Sequence, residues 1–331
     1  MEQKIGERQR WIWLLAGVSG IAACCACGYN WLWVLMGGIL VSLYYIYMDK
    51  QVRNSGLAAK LTETFGVGGK ILAGLTILWI VMVMGWAASL ADAAFPMVDG
   101  FPSLSWVLLA LAAWGSWKGP AVCAGCSGVL GLFLIALYGV VILFAVPDVS
   151  VENLIVSSVW QESVWTVGLF LSASCVLYVP CRGRVKGPLF GVALVLPVFA
   201  GVLAAVTSGV LTPELASERT VPLYDLAQSI SLFGVVERIE PLLSAAITMG
   251  VFSLLSALAC AGHALANEIR SCRWNGVGIC AGAAILIGWT RHLSVPLLTS
   301  GAWMFWVAVP LFTVIVCKSP LISACQSLIT A

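Results

Sequence analysis

A chain of 331 residues that is 61% hydrophobic and only 10% charged, with a mean hydropathy of +1.00, lacks the polar residues needed to clothe a water-facing globule. A net charge of +2 comes with no basic stripe for nucleic acid, and its distribution across a bilayer matters more than its sum. The sequence reads as an all-α polytopic membrane protein.

After a short charged segment, 1–10, the apolar run 11–27 is long enough to span a bilayer and carries Gly17-Val-Ser19-Gly20 near its middle. Residues 28–30 turn into a second predicted helix, 31–48, which ends in Tyr44, Tyr45 and Tyr47. A polar, basic connector, 49–70, precedes a third helix, 71–94. A loop with Pro96, Asp99, Gly100 and Pro102 leads to a fourth, 104–117. Lys118, Gly119 and Pro120 break the pattern before a fifth, 121–146. The acidic connector 147–162 is expected to lie along the surface as a partial amphipathic helix.

The sixth helix, 163–180, contains Gly168 and then Ser172-Ala-Ser174-Cys175, and the loop after it gathers Arg182, Arg184 and Lys186. The seventh, 189–211, holds Pro197, which neighbouring membrane helices can tolerate. Residues 221–240 place Asp225, Glu237, Arg238 and Glu240 ahead of Pro241, which suits a short surface helix feeding the eighth span, 241–264. A turn with Glu268, Arg270 and Arg273 leads to the ninth, 276–289. Residues 291–296 turn the chain into the tenth, 301–317.

Ten helices put both termini on one side, and the charges fit a cytoplasmic amino terminus. Of the 17 Lys and Arg residues, only Arg219, Arg238 and Arg291 then fall outside. The interruptions in the first and sixth helices stand five helices apart, which suits a five-plus-five inverted repeat within one transmembrane domain. Repeat one covers about 11–146, the connector 147–162, and repeat two about 163–317. Free backbone groups at such breaks can hold an amino-acid carboxylate or a cation without a charged side chain. Gly17, Ser19, Gly20, Ser172 and Ser174 are therefore the candidate substrate-binding residues, between helices one and six; close packing of small residues is the competing explanation.

Glu237, Arg238 and Glu240 form a candidate gate or an interfacial anchor. Neither glutamate is well placed to pair with Arg238 along one helix, so Asp92, Asp99 and Asp225 are its candidate partners. A polar stripe on the eighth helix, Ser253, Ser256, Cys260, His263 and Asn267, falls within a narrow arc and could line a water-accessible inner path or serve packing.

The 12 cysteines lie mostly in apolar runs, where the thiol acts as a small hydrophobe, and the 2 histidines are far apart; no metal or cofactor is expected. Ile21-Ala-Ala-Cys24 after a basic start resembles a lipoprotein cleavage box, so retention of the first helix stays open. No nucleophile stands beside a base and no phosphate loop follows a strand, so an enzyme is not expected.

The order of features resembles the GerAB-like spore germination permeases of the amino acid/polyamine/organocation superfamily. The resemblance rests on residues 31–47 after a short turn, 61–69 before the third helix, Trp117-Lys-Gly119, Leu177-Tyr-Val-Pro180 before a basic loop, and Pro222-Leu-Tyr-Asp-Leu226 leading to Val236-Glu-Arg-Ile-Glu240. It implies a LeuT-like fold and a permease-like subunit of a germinant receptor in a bacterial spore inner membrane. The implied ligand is an amino acid or similar nutrient, and the implied partners are a larger membrane subunit and a lipoprotein subunit. Ala121, Gly125 and Ser172-Ala-Ser174 stand where the family often carries charged residues, which leaves the ligand chemistry open. A free-standing amino acid or cation transporter, or a structural subunit with a non-functional pocket, would use the same fold.

Overall fold

The computed structural model describes residues 5–24, 30–52, 56–94, 103–154, 167–168, 170–182, 189–212, 215–216, 221–229, 240–293 and 295–318. Five helices among them are long and apolar enough to cross a membrane. The elements in order are α1 (Glu7–Cys24), α2 (Trp31–Val52), α3 (Gly56–Phe65), α4 (Val67–Ala94), α5 (Leu104–Lys118) and α6 (Pro120–Ala145). Two short 3₁₀ turns, Val146–Asp148 and Val151–Leu154, come next. A longer 3₁₀ stretch, Ser172–Tyr178, is followed by α7 (Leu189–Leu211), α8 (Pro222–Ser229), α9 (Glu240–Ile269) and α10 (Asn275–Thr290). The last helix is composite: α11 (Val295–Ala302), a π-helical turn (Trp303–Ala308) and α12 (Val309–Lys318).

Burial sorts these into a centre and a rim. Within their apolar windows α9 is 72% buried and α4 61%, whereas α6 is only 28% buried. Val129, Leu132 and Leu143 of α6 are 69–71% exposed, which is costly in water and natural against lipid tails. From Trp13 to Gly20 α1 is buried on every side, as expected of a helix that is apolar all round. It packs on α9, α6 and α7, while α4 covers α9 and α10.

Close approach explains several glycines at these crossings. A methyl group on Gly20 would lie 2.4 Å from the Gly250 carbonyl carbon, and one on Gly250 2.6 Å from the Gly20 Cα, so α1 and α9 cross backbone to backbone. Gly38 of α2 meets Pro197 of α7 in the same way, at 2.8 Å. That contact seats the proline inside a membrane helix.

Several boundaries differ from the hydropathy reading. The 49–70 connector contains α3, whose apolar face is buried, and α1 begins at Glu7, within the segment read as a charged tail. The start of the acidic connector is not an amphipathic helix but 3₁₀ turns tied to the end of α7. Ser150 N–H and Asn153 Nδ2 both donate to the Gly209 carbonyl at 3.0 Å, supplying donors that α7 lacks past its last turn. Most of the rest of that connector, and the sixth predicted helix up to residue 166, lie outside the described residues. The amino-terminal strap Ile5–Gly6 pairs in parallel with Cys181–Arg182, holding the start of α1 to the chain that leaves the 3₁₀ stretch.

Candidate functional site

Runs of 3₁₀ helix longer than three or four residues are uncommon, because their hydrogen bonds are poorer and side chains three apart eclipse. The stretch Ser172–Tyr178 runs for seven residues, all of them buried, in the heart of the bundle. It contacts α1, α2, α3 and α9. Tyr178 Oη, at the end of the stretch, donates to the Phe305 carbonyl at 3.2 Å, and beside it Tyr44 Oη of α2 donates to the Trp306 carbonyl at 2.5 Å. Both acceptors lie in the π-helical turn, whose displaced hydrogen-bond register leaves carbonyls for such donors.

The candidate binding residues lie on α1 and on this stretch, in different roles. A methyl group on Gly17 would sit 3.7 Å from the Leu254 Cα and 3.8 Å from the Ala173 Cβ, so Gly17 marks where α1, the 3₁₀ stretch and α9 come together. Gly20 is spent on the backbone contact with Gly250. Ser19 Oγ donates to the Ala16 carbonyl at 2.7 Å, the local back-bond typical of serine in a helix. Ser172 and Ser174 are both buried, and the Ser174 hydroxyl has no partner among the described residues. Across the junction Trp13 Nε1 donates to the Ser253 carbonyl at 3.1 Å and the Ser256 hydroxyl at 3.2 Å, while the Ser253 hydroxyl is itself buried without a partner among the described residues. The α1 helix is continuous through 17–20; the irregular backbone is in the second of the two interruptions.

Arg10 and Asp49 escaped the sequence reading. Arg10 is 0% exposed, its Nη1 donates to Asp49 Oδ1 at 2.8 Å, and its Nη2 donates to the Val179 carbonyl at 2.5 Å. One guanidinium thus ties α1 to α2 and to the end of the 3₁₀ stretch. Thirty-nine residues separate the pair, so no local spacing signals it.

A cavity of about 400 Å³ opens where the 3₁₀ stretch ends, against α3, the α5–α6 turn and the last turns of α9. Cys260, His263 and Asn267 of the α9 polar stripe line it, whereas Ser253 and Ser256 of the same stripe are buried away from it. Gly276 N–H donates to His263 Nδ1 at 3.2 Å and the Asn267 amide lies 3.0 Å from Nε2, which engages both ring nitrogens. Thr62 Oγ1 donates to Glu268 Oε2 at 3.0 Å. None of the candidate binding residues lines this cavity.

Of the candidate gate, Glu237 and Arg238 lie outside the described residues, as does Asp99, and Glu240 is the first residue of α9. Asp92 accepts the Ser105 N–H at 2.9 Å and so satisfies an orphan donor at the start of α5.

No family model and no curated protein sequence matches the chain. Among solved structures it is similar to a Na+-coupled sialic acid symporter in its substrate-bound, outward-open state, with a TM-score of 0.58 and 12% identity over 90% of this chain and 77% of that one. At that identity the likeness establishes the fold. With its apolar spans, the chain is an integral membrane protein with a transporter fold.

Proposed function

We propose that this protein binds a small nutrient, an amino acid in the first instance, between α1 and the 3₁₀ stretch, and acts as the permease-like subunit of a spore germinant receptor. In this reading ten spans form a five-plus-five inverted repeat with both termini cytoplasmic, and a larger membrane subunit and a lipoprotein subunit complete the receptor in the spore inner membrane. The observation that carries the binding reading is the buried seven-residue 3₁₀ stretch, which meets α1 where Ala173 lies against Gly17 and whose buried Ser174 hydroxyl has no partner among the described residues. Irregular backbone at membrane depth is tolerated where it is enclosed by protein or lines a cavity, and transporter folds use such places to hold ligands. The receptor part rests on the sequence resemblance, above all Pro222-Leu-Tyr-Asp-Leu226 and Val236-Glu-Arg-Ile-Glu240.

A free-standing transporter is the second reading, favoured by the likeness to a symporter. A structural subunit with a non-functional pocket is the third, favoured by the backbone-tight Gly20–Gly250 crossing. Proteoliposomes holding the full chain, loaded against a panel of labelled amino acids, separate them. Saturable binding without uptake, together with co-purification of a large membrane subunit and a lipoprotein, is the expected result. Uptake by the chain alone would make it a transporter, and neither binding nor uptake would leave the structural reading.

A further inference from the structure

The cavity where the 3₁₀ stretch ends has a charge pattern of its own. Lys118 Nζ lies 5.0 Å and Arg273 Cζ 4.6 Å from the centroid of the Trp117 ring, so two cations from separate elements are gathered at one indole. Among the described residues neither has a carboxylate partner. Gly119, held at φ 112°, turns the chain so that Pro120 starts α6 at the cavity wall, and no side chain caps that end of a 26-residue helix. The positive end of the α6 dipole therefore adds to the two cations. The one carboxylate in the wall, Glu268, is engaged by Thr62.

We propose that this cavity is a binding site for a phosphate-type anion. A phosphate offers oxygens in several directions, as cations spread over Lys118 and Arg273 beside a helix end require, whereas a carboxylate offers two in one plane. The volume suits a headgroup-sized ligand. Trp117 stacks on Trp274, 62% exposed, at 6.0 Å between centroids; such aromatic pairs sit at the level of lipid headgroups. The phosphate can belong to an anionic phospholipid or be free in the cytoplasm. No lining residue comes from α1, so the site stands independently of the nutrient pocket.

The test is a phosphorus NMR titration of the full chain, purified in a phosphate-free neutral detergent, with short-chain phosphatidylglycerol, inorganic phosphate and short-chain phosphatidylcholine. Wild type is expected to broaden the phosphatidylglycerol or phosphate signal saturably and to bind phosphatidylcholine more weakly. The Lys118→Gln/Arg273→Gln double variant should raise the midpoint at least about tenfold, the loss expected when charge-assisted hydrogen bonds go. Glu268→Gln should lower it severalfold. Phosphatidylglycerol that inorganic phosphate cannot displace identifies a lipid headgroup; full displacement identifies free phosphate. No saturable broadening by wild type, equal binding of phosphatidylcholine, or an unchanged midpoint in the double variant overturns the proposal. Should the double variant not fold, wild type and Glu268→Gln decide, and Glu268→Gln binding no tighter than wild type overturns it equally.

Discussion

The Arg10–Asp49 pair shows how much one buried charge can organise. Taking both groups out of water is expensive, and the pair persists because Nη2 also satisfies the Val179 carbonyl. Asp49→Asn leaves the guanidinium buried against a neutral amide, so a destabilisation of about 3–5 kcal/mol is expected, read as a lower melting midpoint in detergent. Arg10→Met with Asp49→Leu removes both charges and should recover part of that loss. It should not recover all of it, because the Val179 carbonyl is then orphaned at a cost of about 1–3 kcal/mol. A melting midpoint unchanged in Asp49→Asn would contradict this account of the pair. Neither residue was legible beforehand: Arg10 closes a charged run and Asp49 opens a polar one, and only the tertiary fold joins them.

Among the elements, α1 and the 3₁₀ stretch repay comparison. Both carry small residues at corresponding places, and both were read from that composition as interruptions. Only the second is irregular, because glycine and serine permit close helix packing as readily as a break and local propensity does not choose between them. The two glycines of α1 predict different outcomes. At Gly20 a methyl group would collide with the Gly250 backbone at 2.4 Å, whereas at Gly17 it would find ordinary contacts at 3.7 and 3.8 Å. Gly20→Ala should therefore lower expression and melting midpoint, and Gly17→Ala should keep both. Equal tolerance of the two would mean that α1 and α9 do not cross as described. Helix α3 was missed for a simpler reason: ten residues with Lys60, Thr62, Glu63 and Thr64 are too short and polar to register as a span.

At the scale of the whole molecule, hydropathy and charge carry far. A chain this apolar has to bury or solvate its helices in lipid, so the membrane class was readable from composition, whereas the transporter fold was implied only by the paired small-residue motifs and the family resemblance. The polar stripe on α9 was legible too, since helical periodicity alone puts Cys260, His263 and Asn267 on one face, and they do line the cavity. The cations beside it were not, because Lys118 and Arg273 belong to turns 155 residues apart and meet only when α5 and α10 pack. Ligand identity is the least legible property, since a site built from backbone and hydroxyl groups leaves no charged signature. The central claim, a nutrient site at the α1 and 3₁₀ junction, is met most directly by saturation binding of a labelled amino-acid panel to the purified full chain, wild type against Ser174→Ala. At least one amino acid should bind wild type saturably and bind Ser174→Ala about tenfold more weakly at an unchanged melting midpoint, the worth of one hydrogen bond to a charged group. Identical binding curves for the two proteins, or no binding by wild type, would contradict it.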